Sequence, residues 1–344
     1  MPWLRHPAYR RTRDWLVQRL RSKRWAFKKL RPIVFLCGGR HSQPRVLLAE
    51  YLRRHLRLHV FFADDVWGEV ASRTPENALE LELKLAGLTP EFASDEIGFS
   101  AQDRQAPSRW TRSPFPLSRS LGLADALVIL VESAGTIAEL GAFASLPQFR
   151  GKLLPILPRE YVRDSSFINS GPVRWVNDHS LFAPVISADF STILACAGEI
   201  EVRLSRIAPL ASGIKRKRDL LSDSRFSLFL VCELVNLLGP VTQSHLKYYL
   251  QQAFEAPDTL DTGYLLGLAQ SIGVVDSFLH QRLGQFFFPR LIENQFHSVL
   301  DDPPFSIPKT RARVLADLQR IPDFAALLDT LGGQSFSQRR ADAS

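Results

Sequence analysis

The sequence predicts an α/β protein: a parallel sheet with helices on both faces, followed by a smaller module of three helices and a β-hairpin. Three observations carry this reading. From Ile33 onward, short apolar runs alternate with stretches whose apolar residues recur at helical spacing. Several of those runs end in glycine or an acidic residue, as strands do where they feed a loop or a helix. After the basic run KRKR at 215–218, the pattern changes to helical stretches and then two short runs separated by turn residues.

Taken in order, IVFLCGG (residues 33–39) reads as a strand closed by two glycines, with a helix behind it through Leu47, Leu48, Tyr51 and Leu52. LRLHVFFADD (56–65) is a second strand ending in Asp64-Asp65, and ENALELELKLAGL (76–88) a long helix. ADALVILVES (124–133) is a third strand. It runs into SAGTIAELGAFA (133–144), where Ile137, Leu140 and Phe143 take up helical spacing. KLLPILP (152–158) is a further strand. This is a Rossmann-like pattern, and ligands of such sheets sit outside the carboxyl ends of the strands. Gly38-Gly39, Asp64-Asp65 and Ser133 to Glu139 all follow such ends.

In the second module, SLFLVCELVNLL (227–238), TQSHLKYYL (242–250, with Thr242 as N-cap) and DTLDTGYLLGLAQS (258–271) are helices. GVVDSF (273–278) and QRLGQFFFP (281–289) form a hairpin. Three helices and a hairpin make a winged helix-turn-helix. The expected boundaries are a basic helical arm at 1–32, the α/β domain at 33–210, a basic linker at 211–218, the winged helix-turn-helix domain at 219–331 and a polar tail at 332–344.

A chain of 344 residues with 45% hydrophobic and 23% charged residues holds enough apolar surface for two cores. Cys37, Cys196 and Cys232 lie too far apart for a disulfide framework or a metal-ligand motif, which fits a reducing cytoplasm and no bound metal. No apolar run approaches the roughly 18 residues of a membrane span. Arginines interrupt the N-terminal apolar residues too often for a secretory signal.

The net charge of +8 is unevenly spread. Residues 1–32 hold eleven Lys/Arg against Asp14 alone, whereas residues 219–300 hold four Lys/Arg against eight Asp/Glu. Candidate phosphate contacts are therefore Arg10, Arg11, Arg13, Lys23, Arg24, Lys28 and Lys29 of the arm, and Lys215, Arg216, Lys217 and Arg218 of the linker. A solvated face accounts for the same charges. A membrane-surface helix or a transit peptide would share the arm's pattern.

The chemistry concentrates at the strand ends. Gly38 and Gly39 permit close backbone approach beside a helix N-terminus, with Arg40 next to them, and Asp64 suits a ribose hydroxyl or a helix cap. Gly135 and Thr136 sit at another helix N-terminus, suited to phosphate or sugar. Glu139 lies one turn further, where a carboxylate can attack an anomeric carbon as a base departs. The alternative is a glutamate that only favours the positive end of its helix dipole.

SAGTIAELGAFA and FLCGGR (35–40) resemble the nucleophile motif and first loop of the nucleoside 2-deoxyribosyltransferase-like superfamily, over roughly residues 33–210. The resemblance implies that Glu139 is a nucleophile and that an acid six residues earlier holds the sugar. Ser133 stands at that place, with Glu132 beside it as a substitute. The base-binding acid expected near PFPLSRSLG (114–122) is missing, which disfavours exchange between free nucleobases. VESAGTIAELGAF (131–143), SSFINSGP (165–172) and the second module together resemble retron effectors that fuse a ribosyltransferase-like domain to a winged helix. That resemblance implies NAD as substrate rather than cofactor, and a reverse transcriptase with its branched RNA–DNA product as partners. Higher-order assembly is left open. A nucleoside N-glycosidase or deoxyribosyltransferase, and a non-catalytic nucleotide-sensing DNA-binding regulator, remain alternatives. The third helix of the module, led by Asp258, Asp261, Thr262, Gly263 and Tyr264, lacks Lys and Arg. It fits docking better than base reading, with Arg282 and Arg290 of the wing as limited phosphate contacts.

Overall fold

A computed structural model describes residues 6–21, 25–26, 30–39, 42–62, 123–161, 166–208, 214–215, 221, 223–280, 282–290, 298–299 and 306–330. The chain divides into two compact units, one of residues 31–210 and one of residues 1–30 with 211–344. The first elements, α1 (Pro7–Arg21) and β1 (Trp25–Ala26), thus belong with the C-terminal part of the chain.

The unit of residues 31–210 contains β2 (Ile33–Cys37), α2 (Gln43–Arg54), β3 (His59–Phe61), β4 (Ala126–Leu130), α3 (Ala134–Ser145), α4 (Pro147–Arg150), β5 (Leu153–Pro158), α5 (Arg174–His179), β6 (Ile186–Ala188) and α6 (Ala197–Leu204). Its five strands run parallel in the order β3-β2-β4-β5-β6. Every residue of β2, β4 and β5 is buried, which is why each reads as an unbroken apolar run. On one face Val34, Leu36, Val128, Leu154 and Ile186 pack with Leu48 and Leu52 of α2 and Ile200 of α6. On the other face Phe35, Phe61, Leu127 and Ile129 are buried, the two phenylalanine rings 5.0 Å apart. α3 lies against β4 and β5 and buries Thr136, Leu140, Phe143 and Ala144.

The strand order sets the position of the site. From β2 the chain steps to one side to make β3, then returns to the other side of β2 as β4. The carboxyl ends of β2 and β4 therefore flank a switch point, where connections diverge and leave a crevice.

The other unit adds β7 (Ile214–Lys215), α7 (Ser224–Leu238), α8 (Gln243–Phe254), α9 (Thr262–Ser271), β8 (Val275–His280), β9 (Gly284–Pro289), β10 (Ser298–Val299) and α10 (Ile307–Leu318). α7 is its centre, buried at every residue from Phe226 to Leu238. Thr242 caps α8 as expected, its hydroxyl accepting from the His245 N–H. β8 and β9 pair antiparallel across a tight turn where Gly284 takes a φ of 87°, a left-handed value that favours glycine. α1 packs on α8 and α10, burying Tyr9, Leu16, Val17 and Leu20. The N-terminal helix is thus an integral part of this unit, where the sequence reading makes it a separate arm. β1 lies between β10 and β7, with Trp25 opposite Lys215.

Candidate functional site

The site is built on the two loops that leave β2 and β4. The carboxylate of Glu132, just past β4, reaches across to the other loop. Its Oε1 accepts from the Gly39 N–H at 2.6 Å and its Oε2 from the Ser42 hydroxyl at 2.8 Å. Ser42 is also the N-cap of α2, accepting from the Arg45 N–H. One carboxylate thereby fixes the Gly38-Gly39 turn, the start of α2 and the start of α3 relative to one another. Hydrogen bonds to a charged acceptor are worth about 1.5–3 kcal/mol, so this tie is strong for its size.

Arg45 completes the β2 side. It is buried on the apolar stripe of α2 with Leu48, Ala49 and Leu52. Its Nη1 donates to the Gly38 carbonyl at 3.2 Å, and its guanidinium lies 4.5 Å from the centre of the Phe62 ring. Gly38 is glycine for a steric reason. A Cβ there would stand 2.9 Å from Arg45 Cδ and 3.1 Å from Glu132 Oε1. Arg45 is absent from the sequence-based candidates, although an arginine at i, with Leu, Ala and Leu at i+3, i+4 and i+7, was the available signal.

On the β4 side, α3 begins with a capping box. The Ser133 hydroxyl accepts from the Thr136 N–H, and the Thr136 hydroxyl accepts from the Ser133 N–H at 3.0 Å. The same Thr136 hydroxyl accepts from the Glu132 N–H and donates to the Ser133 carbonyl. Thr136 is 3% exposed, so its hydroxyl serves the helix start rather than a ligand. Ser133 and Gly135 are exposed, and a Cβ on Gly135 would meet nothing closer than Ser133 Oγ at 3.8 Å. This helix end is therefore open to a ligand. Glu139 is half-buried, with Oε2 buried, in the second turn of α3. It borders the buried stripe of Thr136, Leu140 and Phe143.

The SSFINSGP segment also lies beside α3. Its last residues enter a π-helix, Asn169–Val173, packed against α3. Asn169 Nδ2 donates to the Tyr161 carbonyl at 2.7 Å, tying this segment to the turn that follows β5. Such π-turns recur at functional sites. Arg40 and Asp64 lie outside the described residues, as do Asp65, the expected helix at 76–88, PFPLSRSLG and the polar tail. Among the described residues no cluster could hold a metal ion, and no helix is long and apolar enough to cross a membrane.

In the other unit, Arg10 and Arg11 are exposed on α1, while Arg13 pairs with Asp14 at 2.7 Å and lies over the Tyr248 ring. Lys23, Arg24, Lys28, Lys29, Arg216, Lys217 and Arg218 lie outside the described residues, and Lys215 is described through its backbone pairing. α9 has no exposed residue. Thr262, Tyr264, Leu265, Leu266, Leu268, Ala269 and Ser271 are buried, and Gly263, Gly267 and Gln270 are half-buried. The acids that lead it are engaged: Asp261 caps α9 by accepting from the Tyr264 N–H, and Asp258 accepts from Gln251 and pairs with Lys247. Arg282 and Arg290 at the hairpin are exposed.

Residues 121–277 match the family model of the STM3845 retron effector protein. Over that stretch the chain is similar to retron effectors. Two proteins of Escherichia coli agree with that similarity. One is the "Retron Ec73 putative ribosyltransferase/DNA-binding protein", 27% identical over 160 residues, which is 44% of this chain and 40% of the relative. The other bears the same description for retron Ec86 and is 23% identical over 190 residues, 54% of this chain and 51% of the relative. The chain thus spans about half the length, or less, of these relatives. The retron-effector match begins just before β4 and ends within β8. It takes in Glu132, Ser133, Gly135, Thr136 and Glu139, and it leaves out Gly38, Gly39, Arg45, α1 and α10.

Proposed function

We propose that this chain is the toxic effector of a retron antiphage system and that its α/β unit cleaves the N-glycosidic bond of NAD. The observation that carries the reading is the position of Glu139. It is half-buried, with Oε2 buried, in the helix that leaves β4, and that helix is pinned through Glu132 to the glycine turn after β2. In the proposed step the Glu139 carboxylate attacks the ribose carbon that bears nicotinamide. A carbon–oxygen bond forms as the carbon–nitrogen bond breaks, and the bonding pair neutralises the pyridinium. Nicotinamide leaves as a neutral base without a proton donor. This accords with the absence of an acid in PFPLSRSLG. Water, or another acceptor, then releases the ribosyl group from the ester.

The contacts at the crevice divide the remaining roles. Glu132 holds the loops, Thr136 holds the helix cap, and the exposed Ser133 and Gly135 are left to meet sugar or phosphate at the N-terminus of α3. Gly38 and Gly39 shape the turn after β2, with the Gly39 N–H given to Glu132 and the Gly38 carbonyl accepting from Arg45.

The second unit is read as a winged helix-turn-helix that docks rather than reads bases, since α9 offers no exposed side chain to a groove. A reverse transcriptase and its branched RNA–DNA product would control the enzyme in the cytoplasm. The test is incubation of the purified chain with NAD and, separately, with deoxynucleosides and deoxynucleotides, identifying the base released. Nicotinamide release that disappears in Glu139→Gln is expected. Release of a nucleobase alone would move the assignment to a nucleoside N-glycosidase or deoxyribosyltransferase. No release from any substrate, under activating partners as well, would leave a nucleotide-sensing regulator.

A further inference from the structure

α1 and α10 lie side by side and antiparallel: the Thr12 hydroxyl donates to Asp317 at 3.1 Å, and one turn away Arg313 stacks on Trp15, 3.9 Å from the ring centre. Helical spacing then carries two stripes along the pair. On α1, Arg11, Trp15 and Arg19 stand at i, i+4 and i+8, and Arg19 lies 5.9 Å from the same indole ring. On α10 and the turn after it, Lys309, Arg313 and Arg320 share one exposed face. The antiparallel register puts Arg19 toward Lys309 and Arg11 toward Arg320. Between the cations of α10 the exposed residues are Ala312, Ala316 and Gln319, whose size leaves room for close approach, and the one acid in that span, Asp317, is half-buried in the seam with α1. The acids near the seam are engaged, Asp14 with Arg13 and Asp317 with Thr12. Asp323, one turn beyond Arg320, is the next acid along the chain.

We propose that this two-helix face binds the phosphate backbone of a nucleic acid. Its stripe on α10 runs about 16 Å at 1.5 Å per residue, enough to meet two or three successive phosphates of a strand. A guanidinium held over an indole can keep N–H groups free for an anion. Neither α1 nor α10 has an exposed large apolar residue. A membrane-surface helix needs such residues to insert, and a protein interface needs them at its centre. The face is built outside residues 121–277, the part that matches the effector family. The proposal deepens the nucleic-acid part of the reading above and does not depend on its glycosidase part.

The experiment compares the full chain with Lys309→Ala/Arg313→Ala/Arg320→Ala, and with Lys309→Gln/Arg320→Gln, which keeps the Arg313–Trp15 stack. Probes are a duplex DNA, a branched RNA–DNA and vesicles of phosphatidylserine in phosphatidylcholine, each across a salt series. Each lost phosphate contact should flatten the log–log salt slope on duplex by about 0.9, so the triple variant should lose about 2–3 and the double about 2. Affinity for the triple should fall at least about tenfold near 100 mM salt, equally for unrelated sequences. Nicotinamide release in the same preparations reads the glycosidase separately. Unchanged slopes on both nucleic acids, or a change seen only with vesicles, would overturn the proposal.

Discussion

Glu139 stands in the second turn of α3, six residues past its N-cap. The helix dipole acts mainly within the first turn, so the electrostatic benefit of a carboxylate there is small. Glu139→Gln should therefore change melting by less than about 1 kcal/mol while lowering glycosidic cleavage by thousands-fold, the order expected when a covalent nucleophile is lost. Cleavage near the wild-type rate by a folded Glu139→Gln protein would remove it from the mechanism. Glu132 behaves differently because both of its oxygens hold the β2 loop. Glu132→Gln should cost on the order of 1–3 kcal/mol and reduce turnover by displacing Gly39 and Ser42. Ser133→Ala removes a cap worth about 1 kcal/mol and one neutral hydroxyl, so its turnover should fall less. If folded Ser133→Ala were slower than folded Glu132→Gln, the contact of Ser133 with the sugar would matter more to turnover than the Glu132 clasp. The motif around Glu139 was legible because its residues are local. The clasp was not, because Glu132 and Ser42 lie on different loops and only the strand order makes them neighbours. Arg45 was hidden by its helical stripe, which reads as ordinary packing.

At the scale of elements, β2, β4 and β5 were legible because both faces are covered and the runs are continuous. β6 spans only three residues at the sheet edge, with Ser187 half-exposed, and carries no such run. α1 was recognised as a basic amphipathic helix, but its partner was not: α10 is as basic on its outside and follows in the sequence by nearly the whole chain. Leu20 of α1 is fully buried, so Leu20→Ala should cost about 2–5 kcal/mol, read by thermal or denaturant unfolding of the second unit. The contact between α1 and α8 also makes a pH-dependent prediction. His245 faces the Tyr9 ring, centroids 5.8 Å apart, in a small cavity that Arg13, Tyr249, Val314 and Leu318 also line. Its Nε2 is buried without a hydrogen-bond partner among the described residues. Burial pulls its pKa down from 6.5 to about 4. The unfolded chain therefore takes up the proton first. The stabilisation is fully present above pH 6.5 and is lost as pH falls from 6.5 through 4, on the order of 3 kcal/mol in all. His245→Gln should flatten that part of the stability profile; an unaltered profile between those limits would show that His245 does not titrate with unfolding.

The whole molecule is two units of which one interrupts the other. β1 and β7 pair antiparallel, with Trp25 opposite Lys215 and Ala26 opposite Ile214, so in sequence the α/β unit occupies the connection between two adjacent strands of the second unit. Chain leaving β1 at Ala26 and returning to β7 at Ile214 needs only a short turn to close, since those two residues pair directly. This arrangement was not legible in the sequence, where a basic arm and a basic linker bracket residues 33–210 like two independent tethers. It has a direct consequence for dissection. A fragment of residues 219–331 lacks α1, β1 and β7, and leaves uncovered the surfaces of α8 and α10 that Tyr9, Leu16, Val17 and Leu20 occupy. Each of those apolar side chains contributes roughly 1.5–3 kcal/mol on burial, and together they rival the roughly 5–15 kcal/mol that a domain has in all. Residues 1–30 joined to 211–344 through a short Gly/Ser linker should instead fold with a cooperative transition, because the linker replaces an insertion and not a part of the core. Melting curves of the two fragments decide the matter. The linked form should melt cooperatively and retain the salt-dependent binding of nucleic acid, while residues 219–331 alone should show no cooperative transition. If the shorter fragment melted as sharply and as high as the linked one, α1 would be a tethered arm after all.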